Sequence, residues 1–138
     1  MNILKWFNKK EKTVDISGLP PVILQLNDTT EYGPNCWNAT IKYFDPNEPT
    51  QFVSCGDMAL WLDRNTEEDI YKLQATGSIL ALYDENSLIH TAVYVSPGIL
   101  WHKRGCSGPY EFITEKQLRL VYPEAIHYDY RIVNKTVK

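Results

Sequence analysis

Residues 88–103 read LIHTAVYVSPGILWHK. Two runs rich in β-branched and aromatic residues flank Ser96-Pro97-Gly98, which predicts two antiparallel strands joined by a short turn. Side chains alternate along a strand, so Leu88, His90, Ala92 and Tyr94 are expected on one face. His90 stands where packing alone would select an apolar residue or Thr, which makes it a candidate general base. Its relation to His102 depends on the turn. A three-residue loop, Ser96-Pro97-Gly98, sets Val95 against Ile99 and Ala92 against His102. His102 is then diagonal to His90, ~7–8 Å away at Cα. A two-residue loop, Pro97-Gly98, turns His102 to the opposite face.

Gly77 opens an extended run, Ser78–Tyr83, separated from the hairpin by Asp84-Glu85-Asn86. Three antiparallel strands follow from that pattern. Downstream, Thr114-Glu115-Lys116-Gln117 has the capping-box spacing ahead of Leu118, Leu120 and Val121, so a short helix is expected to end at Pro123. His127–Val133 reads as a final strand. Upstream, NCWNATIKYF (35–44) predicts a helix capped by Asn35 and ended by Asp45-Pro46. Cys36, Ala39, Thr40 and Tyr43 share one face and Trp37, Ile41 and Phe44 another, the mark of a buried central helix. A second helix is expected from about Gly56 to Leu62, and a short helical piece over Thr66–Leu73. Val22-Ile23-Leu24 reads as a short strand or extended arm. The expectation is an α+β fold with a central N-terminal helix packed on an antiparallel sheet. Residues 1–20 form a polar lead and 21–138 a single domain.

Composition narrows the function classes. The chain has 138 residues, nine Tyr, four Trp and four Phe, and 43% hydrophobic residues, enough to bury a core. With 14 basic and 17 acidic residues and a formal charge of −3, it offers no basic surface for nucleic acid. Three Cys at uneven spacing leave at least one thiol free, which points to a reducing compartment. The apolar patch Ile3-Leu4-Lys5-Trp6-Phe7 is too short for a signal-peptide core. It reads as a packed terminus ahead of a weak interfacial anchor. No run reaches the roughly 18 apolar residues of a membrane span. A cytoplasmic protein without cofactor or metal is therefore expected.

Three residues can combine into thiol chemistry. A helix N-terminus offers positive potential and free N–H groups, which lower a thiol's pKa and can hold an oxyanion, so Cys36 is placed as a nucleophile. His90 is the candidate base and His102 the group that orients it. Alone, a free Cys on a helix reads as a small buried hydrophobe. Cys55, in Ser54-Cys55-Gly56-Asp57, precedes the second helix and is the rival nucleophile, whereas Cys106 lies in a Gly/Ser/Pro loop and reads as incidental. Tyr32, four residues before Cys36, is a substrate-binding candidate that could lend a hydroxyl to the oxyanion site, against the plainer reading of a packing lid in a turn. Trp37 can line the substrate pocket, although it and Trp61 read first as core. Lys103 and Arg104 offer either a cationic rim for a carboxylate-bearing substrate or a solvated strand end. Cys36, His90 and His102 are also metal-competent types, without the short local pair that metal sites use.

The ordered parts Asn35-Cys36-Trp37-Asn38, Gly77–Tyr83, His90-Thr-Ala-Val-Tyr-Val95 and Leu100-Trp-His102 resemble the NlpC/P60 group of papain-like cysteine peptidases. The separation of His90 and His102 is similar to that family's spacing between base and third member. The resemblance covers about Tyr32 to Lys103. It implies a papain-like fold, a Cys36–His90–His102 site, and hydrolysis of amide bonds in peptide or acyl substrates such as those derived from peptidoglycan. Other members are acyltransferases or inactive. This chain has Asn35-Cys36-Trp37-Asn38 where the family shows Asp-Cys-Ser-Gly, and Ser78 where an Asp follows the Gly. These departures keep a non-catalytic binding module of the same fold as the alternative.

Overall fold

The computed structural model describes residues 3–7, 11–15, 17–48 and 52–134, the first two segments as backbone alone. Within the expected polar lead, β1 (Ile3–Phe7) and β2 (Glu11–Asp15) pair antiparallel as a sheet of their own. The remaining strands are β3 (Thr66–Glu68), β4 (Ile79–Tyr83), β5 (Leu88–Ser96), β6 (Ile99–Lys103), β7 (Tyr110–Thr114) and β8 (His127–Val133). They form one antiparallel sheet in the order β3-β8-β4-β5-β6-β7. The α+β class therefore holds. No helix among the described residues is long and apolar enough to cross a membrane.

Both faces of the sheet are covered, which explains why ILALY and LIHTAVYV are apolar almost throughout. Ile79, Ala81, Val93 and Trp101 face one core, closed by α1 (Pro21–Leu26), α2 (Cys36–Phe44) and α3 (Cys55–Asn65). Leu80, Leu82, Ala92, Tyr94 and Leu100 face a second core, closed by α4 (Glu115–Val121) and the chain after it.

Local chemistry sets the helix ends. Asn35 accepts hydrogen bonds from the N–H groups of Trp37 and Asn38, while the Asn38 side chain accepts from the Asn35 N–H, so α2 opens with a closed capping box. Ser54 caps α3 at Asp57, and Thr114 with Gln117 boxes α4.

Two expected elements change type. Val22-Ile23-Leu24 lies in helix α1, because Pro21 at its first position has a helical φ already set and Asn27 N–H closes on the Ile23 carbonyl. Thr66–Leu73 is not helical. Thr66 ends α3 through its N–H to the Leu62 carbonyl, then pairs with Val133 as β3. β7 is a strand the sequence pattern did not single out.

The turn combines both expectations. Ser96 faces Ile99 across a two-residue Pro97-Gly98 turn with Gly98 at φ +77°, yet Tyr94 faces Leu100 because Val95 is bulged out. With φ fixed at Pro97 this is a type II corner, whose twist matches a hairpin poorly, and the adjacent bulge absorbs the mismatch. Continuing that register sets Ala92 opposite His102, so His102 is diagonal to His90. A second bulge, between Leu82↔His90 and Tyr83↔Leu88, turns Leu88 to the α2 side, away from the face of His90, Ala92 and Tyr94 where it was expected.

Candidate active site

The site is built where β5 and β6 part. Their ladder ends at Val93↔Trp101, although β6 continues to pair with β7 as far as Lys103↔Tyr110. Tyr94 exchanges its peptide hydrogen bonds with the β4 side, so by alternation the peptide groups of Val93 and Thr91 point towards β6. The Thr91 N–H, on that side of β5, lies close enough to the sulfur of Cys36 to draw its pKa down. One turn along α2, Thr40 Oγ1 lies 2.6 Å from Thr91 Oγ1 and clamps the helix to the strand. Cys36 therefore lies near Thr91, whose hydroxyl meets α2, whereas the neighbouring His90 ring faces the α4 side with Tyr122.

The His90 ring is 1% exposed and stacks on Tyr122, the residue that ends α4, with centroids 4.1 Å apart. Its Nε2 lies 2.9 Å from His102 Nδ1. His102 Nε2 in turn lies 2.9 Å from Glu111 Oε2, which also accepts from Arg104. His90 Nδ1 is buried and has no hydrogen-bond partner among the described residues, so no hydrogen bond joins it to Cys36. Glu111 was not singled out in the sequence. The signal was the Tyr/Phe alternation of Tyr110–Thr114, which sets Glu111 directly opposite His102.

Electrostatics correct one expectation. Burial pushes the Cys36 thiol up to about 12, against the N–H groups of Thr91, Trp37 and Cys36 itself, which draw it down. The helix N-terminus is where the sequence puts it, but desolvation outweighs its pull. Burial also holds His90 well below the usual imidazole range, with His102 and Arg104 adding to the effect. His102 is lowered by burial, opposed by Glu111. The resting pair is a neutral thiol and a neutral imidazole.

The other candidates are dispersed. Tyr32 is 78% exposed. Trp37 is partly buried against the α2-side core, as its core reading expects. Lys103 is fully buried, donating to the Gly105 carbonyl at 2.8 Å and lying over the Tyr110 ring, so it forms neither a solvated strand end nor an open rim. Arg104 is exposed and tied to Glu111. Cys55 donates to the Leu88 carbonyl, Cys106 is exposed, and neither is in a disulfide. Among the described residues no group of three or more His, Cys, Asp or Glu is arranged to hold a metal ion. The facing nitrogens of His90 and His102 are instead spent on each other. A surface cavity of about 150 Å³ lined by Asp69, Leu73 and Ile132 among others contains none of these residues.

No protein-family model matches the chain, and no curated protein or solved structure matches it either.

Proposed function

We propose that the chain is a thiol hydrolase, an amidase or peptidase of the NlpC/P60 kind acting on peptide or acyl substrates such as cell-wall peptides. His90 takes the Cys36 proton and the sulfur attacks an amide or ester carbonyl; the C–N or C–O bond breaks as His90 gives that proton to the departing amine or alcohol, and water, deprotonated by His90, then cleaves the thioester to release the acid and restore the thiol. His102 orients His90. The N–H groups of Cys36 and Trp37 lie close enough to the sulfur to lower its pKa, and the same groups would serve the oxyanion that develops on the attacked carbonyl. One observation carries this reading: His90 has one nitrogen engaged by His102 and the other buried without a partner, in the segment that lies near the thiol. A buried polar atom without a partner calls for an explanation, and for an imidazole nitrogen a proton-accepting role supplies one. Because thiol and imidazole both rest neutral, the nucleophile forms during attack and is not stored as a thiolate ion pair.

A second reading, a binding module of the same fold without turnover, is favoured by the burial of Cys36 to 5% exposure. If an acceptor other than water resolves the intermediate, the same chemistry gives an acyltransferase. The test uses a Cys106→Ser background, which removes the exposed thiol, and p-nitrophenyl acetate. An acetyl group should appear on Cys36 by mass spectrometry, be absent in Cys36→Ala, and form roughly 10²–10⁴-fold more slowly in His90→Ala. Acetylation confined to Cys55, or none at all, rejects the hydrolase and leaves the binding module.

A further inference from the structure

We propose that Glu111 is a positioning residue that fixes the proton on each ring of the Glu111–His102–His90 chain and so leaves Nδ1 of His90 as the bare, basic nitrogen. The inference rests on the thiol-hydrolase reading for its purpose, but its geometry stands apart from it.

Glu111 Oε2 lies 2.9 Å from His102 Nε2, 2.9 Å from Arg104 Nε and 2.7 Å from Arg104 Nη2. A guanidinium only donates and an ionised carboxylate only accepts. Burial works against ionisation of Glu111, yet the His102 and Arg104 contacts hold its pKa below the usual carboxylate range. The proton between Glu111 and His102 therefore resides on His102 Nε2. A neutral imidazole carries one N–H, so His102 Nδ1 presents a lone pair. The 2.9 Å contact with His90 Nε2 is then a hydrogen bond only if His90 donates it. His90 has spent its single proton, and Nδ1, the nitrogen without a partner, is the base.

The opposite polarity places a bare His102 nitrogen against a carboxylate oxygen at 2.9 Å, lone pair to lone pair. Stacking on Tyr122 also opposes rotation of the His90 ring to exchange its nitrogens. The carboxylate, two hydrogen bonds away, thus selects which nitrogen can accept a proton, and His102 together with Arg104 favours its ionised form.

The test is ring-nitrogen NMR on ¹⁵N-histidine-labelled full-length protein in the Cys106→Ser background, read together with acylation of Cys36 by p-nitrophenyl acetate. In the parent protein, Nδ1 of His90 should give the deprotonated, pyridine-like signal and Nε2 the protonated one. Glu111→Ala should move the His90 Nδ1 signal towards the protonated position and slow acylation by roughly 10–100-fold. Added formate, a carboxylate small enough for the vacated space, should restore both. A proton on His90 Nδ1 in the parent protein overturns the proposal without any variant. So does a Glu111→Ala protein whose tautomers and rate are unchanged. If the tautomers follow Glu111 while Cys36 is inert in both proteins, the assignment of Glu111 holds and the hydrolase reading is what fails.

Discussion

At Cys36 and His90 the decisive quantity is the cost of charging a group that has lost its water. Burial raises the thiol and lowers both imidazoles, so each is held neutral. In the unfolded chain an imidazole takes a proton near the usual 6.5. Below that pH the unfolded state binds more protons than the folded one, and stability falls as pH falls. Glu111 acts later: its contribution is present above the usual 4.5 and lost as pH drops through its lowered value. Glu48 and Asp129, raised by burial, act in the opposite sense near the carboxylate range. The window just below 6.5 therefore belongs to the imidazoles. The melting temperature should drop between about pH 7 and pH 5, with each buried ring contributing up to ~1.4 kcal/mol per pH unit. His90→Gln should flatten the slope. A wild-type melting temperature that does not change across this range, measured by calorimetry, would show that the rings accept protons in place.

Among the elements, α2 bears most directly on the site, because its first turn carries the sulfur. Asn35 holds that turn with its oxygen and anchors it through Nδ2 to the Val53 carbonyl at 2.8 Å. Asn35→Ala should cost about 0.5–2 kcal/mol, measured by urea unfolding, and should slow Cys36 acylation as the first turn frays. A variant of unchanged stability would mean that the cap contributes nothing. The cap, the helix and the Leu88–Lys103 hairpin were legible because each is specified by neighbours a few residues apart. Elements decided by distant partners were not. Thr66–Glu68 is a strand only because β8 lies beside it, and an apolar triplet such as Val22-Ile23-Leu24 has no period that separates strand from helix. The diagonal placement of His90 and His102 was one of two turn readings. Val95 produces it by a bulge that no local signal announced. Glu111 stayed hidden for the same reason, since its meaning depends on which strand β7 joins.

For the whole molecule, Leu19, inside the segment set apart as a lead, is the first core residue among those whose side chains are described, while β1 and β2 form a separate sheet. A chain starting at Ser17 should therefore unfold cooperatively, with a melting temperature within about 5 °C of the full chain by circular dichroism. Loss of the cooperative transition would place the β1–β2 hairpin within the folding unit. The opening between β5 and β6 has a wider consequence. The β5–β6 ladder stops at Val93↔Trp101 while β6 runs on beside β7, so an interior strand pair of the sheet is left without rungs near Thr91. With fewer rungs to break, that gap beside the candidate thiol is where the layer should deform most easily.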